Sequence, residues 1–200
     1  MAKENRLRVN QLVCSKQQRA LFAPISFELS AGEMLLIEGA NGSGKTSLLR
    51  VISGLSTPCQ GEINWQGANF SSLLHYVGHQ NGLKLGLTAA ENIALMGYLS
   101  SQSLIKNNIE EWLPVNCLNK PAYCLSAGQK RKLALSKLFL FPKNFWLLDE
   151  PLTARDKQSE MLFLTKLEKH LQQGGMCVAT SHHAFALPSL SYKTLSLNPC

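Results

Sequence analysis

The segment "GANGSGKT", residues 39–46, has the residue types and spacing of a phosphate-binding loop. It matches G-x-x-x-x-G-K-[ST], a pattern in which glycines let backbone N–H groups point inward and form a nest for phosphate oxygens. In this pattern Lys45 reaches the β- and γ-phosphates, and the Thr46 hydroxyl takes one position around Mg²⁺. An apolar run precedes the segment and a helical pattern follows it, as the motif requires. The expected contacts to a nucleotide are Gly39, Ala40, Asn41, Gly42, Ser43, Gly44, Lys45, Thr46 and Ser47.

Two adjacent carboxylates, Asp149 and Glu150, end the apolar run "NFWLLDE". Ligands of open α/β sheets bind at the carboxyl edge of the strands, so a buried strand that stops on two acids predicts a site there. Side chains alternate along a strand, and the two acids should therefore serve different purposes. We expect Asp149 to help hold Mg²⁺ and Glu150 to polarise a water aimed at the γ-phosphate. The alternative, that the pair only keeps a strand end soluble, is weakened by the phosphate loop upstream.

A third segment, "LSAGQKRKLALSKL" at residues 125–138, begins like a helix with a capping box. Ser126 and Gln129 have the spacing at which each side chain bonds the other residue's backbone N–H. Lys130, Arg131 and Lys132 then fill the first turn, where the helix dipole disfavours cations. Either an anion offsets these charges or the side chains point into solvent, and the residues alone leave both readings open.

Apolar periodicity indicates the strands that position these segments. Alternation around residues 25–29 and 63–65 predicts antiparallel strands. Continuous apolar runs in "EMLLIEG", "NFWLLDE" and "MCVATSHH" predict buried central strands. Because helical patterns alternate with buried strands in the second half, the fold class is α/β with a parallel sheet.

Helical spacing indicates two further features. In residues 159–175, Met161, Leu164, Leu167 and Leu171 lie on one predicted helix face, and Gly174 can end that helix. The stretch from about 82 to 140 contains helical patterns and no convincing strand. One of its helices should open at a second capping box, formed by Thr88 and Glu91. We therefore expect a single domain over 1–200, with a core at about 1–81 and 141–200 and an inserted helical subdomain at about 82–140.

Composition limits the class of protein. With 200 residues, 45% of them hydrophobic, the chain can build one well-cored domain. No apolar stretch is long enough to cross a bilayer and the first residues have no signal-peptide character, so a cytoplasmic location is expected. The six cysteines form no CxxC pair, which favours reduced, mostly buried thiols over a metal site. The net charge of +7 suits a solvated basic surface, or contact with anionic lipid, nucleic acid or polyphosphate.

The order of these motifs resembles that of ABC transporter ATPases over essentially the whole chain. A phosphate loop, an LSxGQ-like segment, an Asp-Glu strand end and a histidine after a last strand follow one another as in that family. The resemblance implies ATP held between the phosphate loop of one subunit and Ser126, Gly128 and Gln129 of a second copy, head to tail. The γ-phosphate of that ATP would be the anion beside the basic first turn. Ala127 stands where glycine is usual, a small-for-small change.

Three more residues acquire roles through the same resemblance. Gln80 in "YVGHQNGL" matches the glutamine that touches Mg²⁺ or the attacking water and joins the core to the helical subdomain. His182 in "ATSHH" matches the histidine that contacts the γ-phosphate, with His183 as the alternative one residue away. Asp156 in "PLTARD" matches the aspartate of the loop after the carboxylate strand, although Arg155 replaces a usual aliphatic residue there.

Recognition of the base is less typical. Related ATPases stack an aromatic ring on adenine from a loop after the first strand, whereas "LVCSKQQRALF" has no ring at that position. Either the base is weakly recognised or another side chain, such as Phe22, holds it, and the preference for ATP over GTP is implied by the family.

Within the family, the three stretches around Gln80, Ser126 and Glu150 resemble the ATPase of the bacterial cytochrome c maturation system, often described as a haem exporter. This implies an integral membrane permease as partner, docking a cytoplasmic helix near Gln80, and a place on the cytoplasmic side of the cell inner membrane. Nucleic acid is not an expected partner. The alternatives are another small ABC exporter, a soluble ABC ATPase acting on ribosomes or nucleic acid, and a monomeric phosphate-loop kinase or GTPase.

Overall fold

Among the described residues, strands predominate up to residue 77, helices and 3-10 turns lie between residues 89 and 140, and strands and one helix alternate from residue 145. This computed structural model describes residues 5–17, 19–66, 73–100, 109–152, 157–181, 185 and 192–198. The strands are β1 (Arg6–Val13), β2 (Ser15–Lys16), β3 (Arg19–Ala20), β4 (Ile25–Ser30), β5 (Met34–Glu38), β6 (Gln60–Gln66), β7 (Leu74–Val77), β8 (Phe145–Asp149), β9 (Met176–Thr180) and β10 (Lys193–Ser196). The helices are α1 (Lys45–Ile52), α2 (Ala89–Ser100), α3 (Ala127–Leu140) and α4 (Lys157–Gln172), with 3-10 turns at Ile109–Glu111, Val115–Cys117 and Ala122–Cys124. None of the described helices is long and apolar enough to cross a membrane.

A five-stranded parallel sheet, ordered β10-β5-β9-β8-β7, forms the centre of the fold. β8 and β9 are buried along their whole length, and β5 is buried up to Glu38. Alternate residues of these strands contribute to two separate cores, one shared with α1 and the antiparallel strands and the other with α3 and α4. Coverage on both faces explains why the strands are continuous apolar runs. The three predicted central strands are confirmed, and their carboxyl ends meet at one edge.

A second sheet is antiparallel and lies against this core. Its order is β4-β1-β6, with Val9 opposite both Phe27 and Ile63. The predicted strands around 25–29 and 63–65 are confirmed as β4 and β6, and β1 pairs with both of them. β2 and β3 form a separate two-stranded hairpin.

The region between the two halves of the parallel sheet is helical. It has its own apolar core, to which α2 contributes Ala89 and Ile93, and α3 contributes Leu133 and Leu140. Among its described residues, the only β pairing is an isolated bridge between residues 88 and 121. The described residues of this stretch thus contain helices and none of the named strands, as expected. Its bounds as a subdomain, about 82–140, stay a prediction.

The buried face of α4 differs from the predicted one at its first position. Phe163, Leu164, Leu167 and Leu171 are buried, whereas Met161 is 59% exposed. At 3.6 residues per turn the buried stripe is centred between Leu167 and Leu171, and position 161 lies about 100° away from that centre. The prediction for Met161 was wrong because the buried stripe extends to Phe163, on the opposite side of Leu167 from position 161. The helix ends at Gln172, and Gly174 follows in the left-handed region with φ 83°, as predicted.

The described cysteines have free thiols. Cys14, Cys117 and Cys177 are buried, while Cys59 and Cys124 are exposed. The predicted reduced and mostly buried state is confirmed for this set. Burial raises the pKa of the Cys14 thiol to about 11, so this sulfur is protonated at neutral pH.

Candidate nucleotide site

The loop of residues 39–46 connects the carboxyl end of β5 to the first turn of α1 and is tightly packed on two sides. Gly39 has φ 154°, and a Cβ there would lie 2.6 Å from Ser43 Oγ and 2.9 Å from the carbonyl oxygen of Leu197. Gly44 has φ 100°, and a Cβ there would lie 2.8 Å from the ring of Phe22. Only glycine fits both positions, because each combines a left-handed backbone with a close neighbour. The motif's glycines are therefore explained by the packing of the loop.

Lys45 and Ser43 give the loop its polar interior. The Lys45 ammonium is buried and donates to the carbonyl oxygens of Gly39, at 2.7 Å, and Ala40, at 3.1 Å. Ser43 is 2% exposed, and its Oγ has no hydrogen-bond partner in the described part of the chain. A buried hydroxyl without a partner is costly. A cation and an unpaired hydroxyl inside a backbone nest at a helix N-terminus fit a bound phosphate.

Asp149 joins three parts of the chain at the sheet edge. Its Oδ2 accepts from the Thr46 hydroxyl at 2.8 Å, and its Oδ1 accepts from the Thr180 hydroxyl at 2.8 Å. In the sheet β9 lies between β5 and β8, which places Thr180 beside the carboxylate. The structure thus brings Thr46 and Asp149 together, as the predicted shared Mg²⁺ site requires. Side-chain oxygens of this kind are the ligands that Mg²⁺ prefers.

Thr180 is a site residue that the sequence reasoning missed. It is fully buried, and besides donating to Asp149 it accepts from the Glu150 N–H at 3.0 Å. The signal available in the sequence was a hydroxyl residue at the carboxyl end of an otherwise apolar buried strand, "MCVAT". Such a residue needs partners, and here it finds them on the neighbouring strand.

Glu150 follows β8 in an unusual conformation. Its φ is 50°, in the left-handed region that costs a residue with a side chain about 1–2 kcal/mol. The side chain is half-buried, whereas that of Asp149 is buried. The two acids therefore occupy different environments, as alternation along the strand predicts.

Gln80 lies in the loop after β7 and is exposed. It borders a groove of about 760 Å³ whose wall also includes Thr46, so the loop after β7 and the start of α1 share one surface. α2 forms another wall through Met96 and Leu99. The structure thus places Gln80 between the parallel sheet and the helical region, where its predicted connecting role requires it.

The segment 125–129 forms the predicted cap at the start of α3. Gln129 N–H donates to Ser126 Oγ at 3.2 Å, and Ser126 N–H donates to the Gln129 side-chain oxygen at 2.9 Å. The second capping box, at Thr88 and Glu91, is also present. Ser126 is exposed, and its hydrogen bonds stay within the cap. The described hydrogen bonds of this segment do not reach the 39–46 loop of the same chain.

The prediction for the basic first turn was wrong at Arg131. Its guanidinium is neither in solvent nor turned outward toward an anion. It is 5% exposed and donates to carbonyl oxygens of its own chain, including those of Asp149 and Gly78. Position 131 lies on the inner face of α3 with Ala134 and Leu135, which is why the side chain points inward. Lys130 donates to the carbonyl oxygen of residue 123 at 3.2 Å.

Phe22 was also wrong as an adenine-stacking candidate. Its ring is 1% exposed and packs beneath Gly44, so no face is open to a base. The ring supports the phosphate loop from below. His182, His183 and Asp156 lie outside the described residues, and their roles stay predictions.

Comparison with known proteins agrees with this geometry. Residues 22–153 match the family model described as ABC transporter. The chain is 42% identical over 184 residues to the "Cytochrome c biogenesis ATP-binding export protein CcmA" of Methylococcus capsulatus, covering 86% of this chain and 89% of that protein. The protein of the same name from Escherichia coli K12 is 35% identical, with 96% of both chains covered.

Solved structures of similar fold include a putative ABC transporter ATP-binding protein from Pyrococcus furiosus. It has a TM-score of 0.81 at 23% identity and covers 96% of this chain and 97% of its own. A dimeric bacterial ABC transporter cassette has a TM-score of 0.73 at 21% identity, with 88% of both chains covered. The predicted fold class is confirmed by these likenesses.

The two bonds made by Thr180 can be tested by unfolding. Thr180→Val keeps the shape of the side chain but leaves the Glu150 N–H and an Asp149 oxygen without their buried partner. We expect its free energy of unfolding to fall by about 2 kcal/mol or more. Thr180→Ser keeps the hydroxyl and should lose about 1 kcal/mol or less. Urea unfolding of both variants measures the difference, and a valine variant as stable as the serine variant would contradict the assigned bonds.

Proposed function

This chain belongs to the ABC transporter family, in the group of ATP-binding export proteins of cytochrome c biogenesis. We propose its mechanism, its cargo and its partners as follows. It is the ATP-binding and ATP-hydrolysing subunit of a membrane transporter. The export step it energises belongs to cytochrome c maturation, with haem or a haem-related molecule as cargo. The observation that carries the proposed site is the hydrogen bond from Thr46 to Asp149, because it joins the phosphate loop to the carboxylate strand.

The phosphate loop supplies the nucleotide site. The backbone N–H groups of residues 39–44 and the start of α1 would face the phosphates, with the buried Lys45 ammonium among them. The unpaired Ser43 hydroxyl supports this fit. Thr46 and Asp149 would hold Mg²⁺, with Gln80 nearby on the same groove. When bound, the ion supplies positive charge that offsets charge developing on the phosphates.

Glu150 is the proposed general base. Its carboxylate would accept a proton from a water molecule as that water attacks the γ-phosphate. Asp149 is buried and bonded to Thr46, whereas Glu150 directly after it is only half-buried, which supports different roles for the two acids. His182 would contact the γ-phosphate, and Asp156 would lie in the loop after Glu150 that faces the second copy.

A second copy of the chain would complete each nucleotide site. Ser126, Gly128 and Gln129 stand at the exposed N-terminus of α3, a place where backbone N–H groups bind anions. Their described hydrogen bonds, to the helix cap and from Gln129 to Cys117, do not reach the phosphate loop of their own chain, which supports a partner in another copy. A solved cassette of similar fold is described as dimeric, which supports the pairing of two copies.

The groove beside Gln80 is the proposed contact with the membrane permease. α2 presents Tyr98, 83% exposed, and Leu99, 72% exposed, at its carboxyl end, and Leu99 lines the groove itself. Exposed apolar side chains beside an open groove are typical of a docking surface. A cytoplasmic helix of the permease would bind there, and this subunit would then lie on the cytoplasmic side of the cell inner membrane.

Replacement of the two acids separates their proposed roles. Glu150→Gln keeps the shape of the side chain but cannot accept the proton, so ATP turnover should fall by about two to four powers of ten while nucleotide affinity holds. Asp149→Asn should weaken Mg²⁺-dependent nucleotide binding itself. Turnover and nucleotide affinity are measured on the purified variants with and without Mg²⁺. Wild-type turnover in Glu150→Gln would remove the assignment of Glu150 as base.

The proposed role of Ser126 is tested against a matched helix cap. Ser126→Arg and Thr88→Arg each remove a capping side chain, at a cost of about 1 kcal/mol in stability. If Ser126 serves the nucleotide of a second copy, only Ser126→Arg should abolish ATP turnover, and both variants should still bind ATP as single subunits. Thermal unfolding, nucleotide binding and turnover are compared for the pair. Equal turnover in both variants would show that Ser126 is only a cap.

A further inference from the structure

Arg131 is a buried cation whose five N–H groups all have acceptors. Nη2 donates to the carbonyl oxygens of Asp149 at 2.7 Å and Glu150 at 2.9 Å. Nη1 donates to the carbonyl oxygen of Gly78 at 2.8 Å and to Asn81 Oδ1 at 3.2 Å. Nε completes the set with a longer bond, 3.4 Å, to the carbonyl oxygen of residue 151. One side chain on α3 thus holds the turn after β8 and the loop after β7.

These bonds fix the backbone on both sides of Glu150. The carbonyl oxygens of Asp149 and Glu150 both accept from Nη2 of Arg131. The backbone N–H of Glu150 donates to the Thr180 hydroxyl. Glu150 has φ 50°, a conformation that persists only where the surroundings determine it. Without the guanidinium, the bonds that the carbonyl oxygens of Asp149 and Glu150 accept from Arg131 disappear, so the turn can relax toward an ordinary conformation.

The same guanidinium also fixes the loop that carries Gln80. Its acceptors there, on Gly78 and Asn81, lie on either side of that glutamine in the chain. Arg131 therefore bonds the Gln80 loop to the Glu150 turn. These two segments follow different strands, β7 and β8.

We propose that Arg131 is a positioning residue for the hydrolysis step: it holds Glu150 in its left-handed conformation and fixes it relative to the Gln80 loop. The proposal rests on the proposed role of Glu150 as base. Arg131 needs no contact with nucleotide for this, because it acts through backbone carbonyls. A displaced base lowers the rate of the chemical step and leaves ground-state binding of nucleotide in place.

The role needs arginine in particular. The guanidinium presents five donors in one rigid plane, whereas a lysine ammonium has three donors at a single point. A lysine at 131 could reach some of these acceptors but could not bridge both segments in the same way. We therefore expect lysine to restore part of the function that an uncharged residue loses.

The test compares kcat and KM for ATP in wild type, Arg131→Gln and Arg131→Lys. Arg131→Gln should lower kcat by about 10-fold to 100-fold, as displacements on the order of an ångström do, with KM within about 2-fold of wild type. Arg131→Lys should lower kcat less. If Arg131→Gln does not fold, the lysine variant carries the test, and a wild-type kcat in Arg131→Lys would overturn the proposal.

Trp112→Leu is the control for general loosening of α3. The indole N–H of Trp112 donates to the carbonyl oxygen of Lys132, so its loss also removes a buried bond to this helix, next to Arg131. It should lower the melting temperature and leave kcat near wild type. If Trp112→Leu lowers kcat as much as Arg131→Gln at matched stability, Arg131 is only structural and the proposal fails.

Adding Arg131→Gln to a Glu150→Gln background separates this inference from the proposed function. If Arg131 acts through Glu150, the single-turnover rate of the double variant should lie within about 2-fold of Glu150→Gln alone, since coupled residues are not additive. A full additional loss would overturn the positioning role. Wild-type turnover in Glu150→Gln alone would instead refute the role of Glu150.

Discussion

The hydrogen bonds of one buried carboxylate, Asp149, hold the site together. Thr46 reaches it from the phosphate loop and Thr180 reaches it from the strand between β5 and β8, each at 2.8 Å. Thr180 in turn accepts from Glu150. The three residues come from segments far apart in the chain, and only the order of the parallel sheet brings them to one edge. The phosphate loop, the proposed metal-binding oxygens and the proposed base are thus parts of one bonded unit.

A second constraint connects this unit to the helical region. Through Arg131, α3 is bonded to the carbonyls around Glu150 and to the loop after β7. Ser126 caps α3, and its side chain accepts a hydrogen bond from the backbone N–H of Gln129. Within one chain, no described hydrogen bond joins the 125–129 segment to the 39–46 loop, although both belong to the proposed nucleotide site. This is the physical reason for proposing that two copies close around ATP.

The sequence predicted those parts of the site that depend on local chemistry. The glycine spacing of 39–46, the capping box at 126–129 and the acids at the end of an apolar strand each follow from residues close in the chain, and each is where it was predicted. The predictions for Arg131 and Phe22 were wrong because both depend on tertiary packing. The environment of Arg131 depends on which face of α3 turns inward, and that of Phe22 depends on its packing beneath Gly44. Thr180 was missed since its partner lies on a neighbouring strand. Only the resemblance to the family indicated cytochrome c maturation. The charge and the hydrophobic periodicity of the sequence did not.

The central claim is that one chain holds only part of the ATP site and a second copy supplies the rest. Sedimentation equilibrium of purified Glu150→Gln, with and without saturating Mg-ATP, tests it most directly, because the variant should retain unhydrolysed nucleotide between the subunits. The account predicts the mass of two copies with Mg-ATP and of one copy without it, and the mass of one copy in both conditions once Ser126→Arg is added. A Glu150→Gln protein that binds Mg-ATP fully yet keeps the mass of one copy would contradict it.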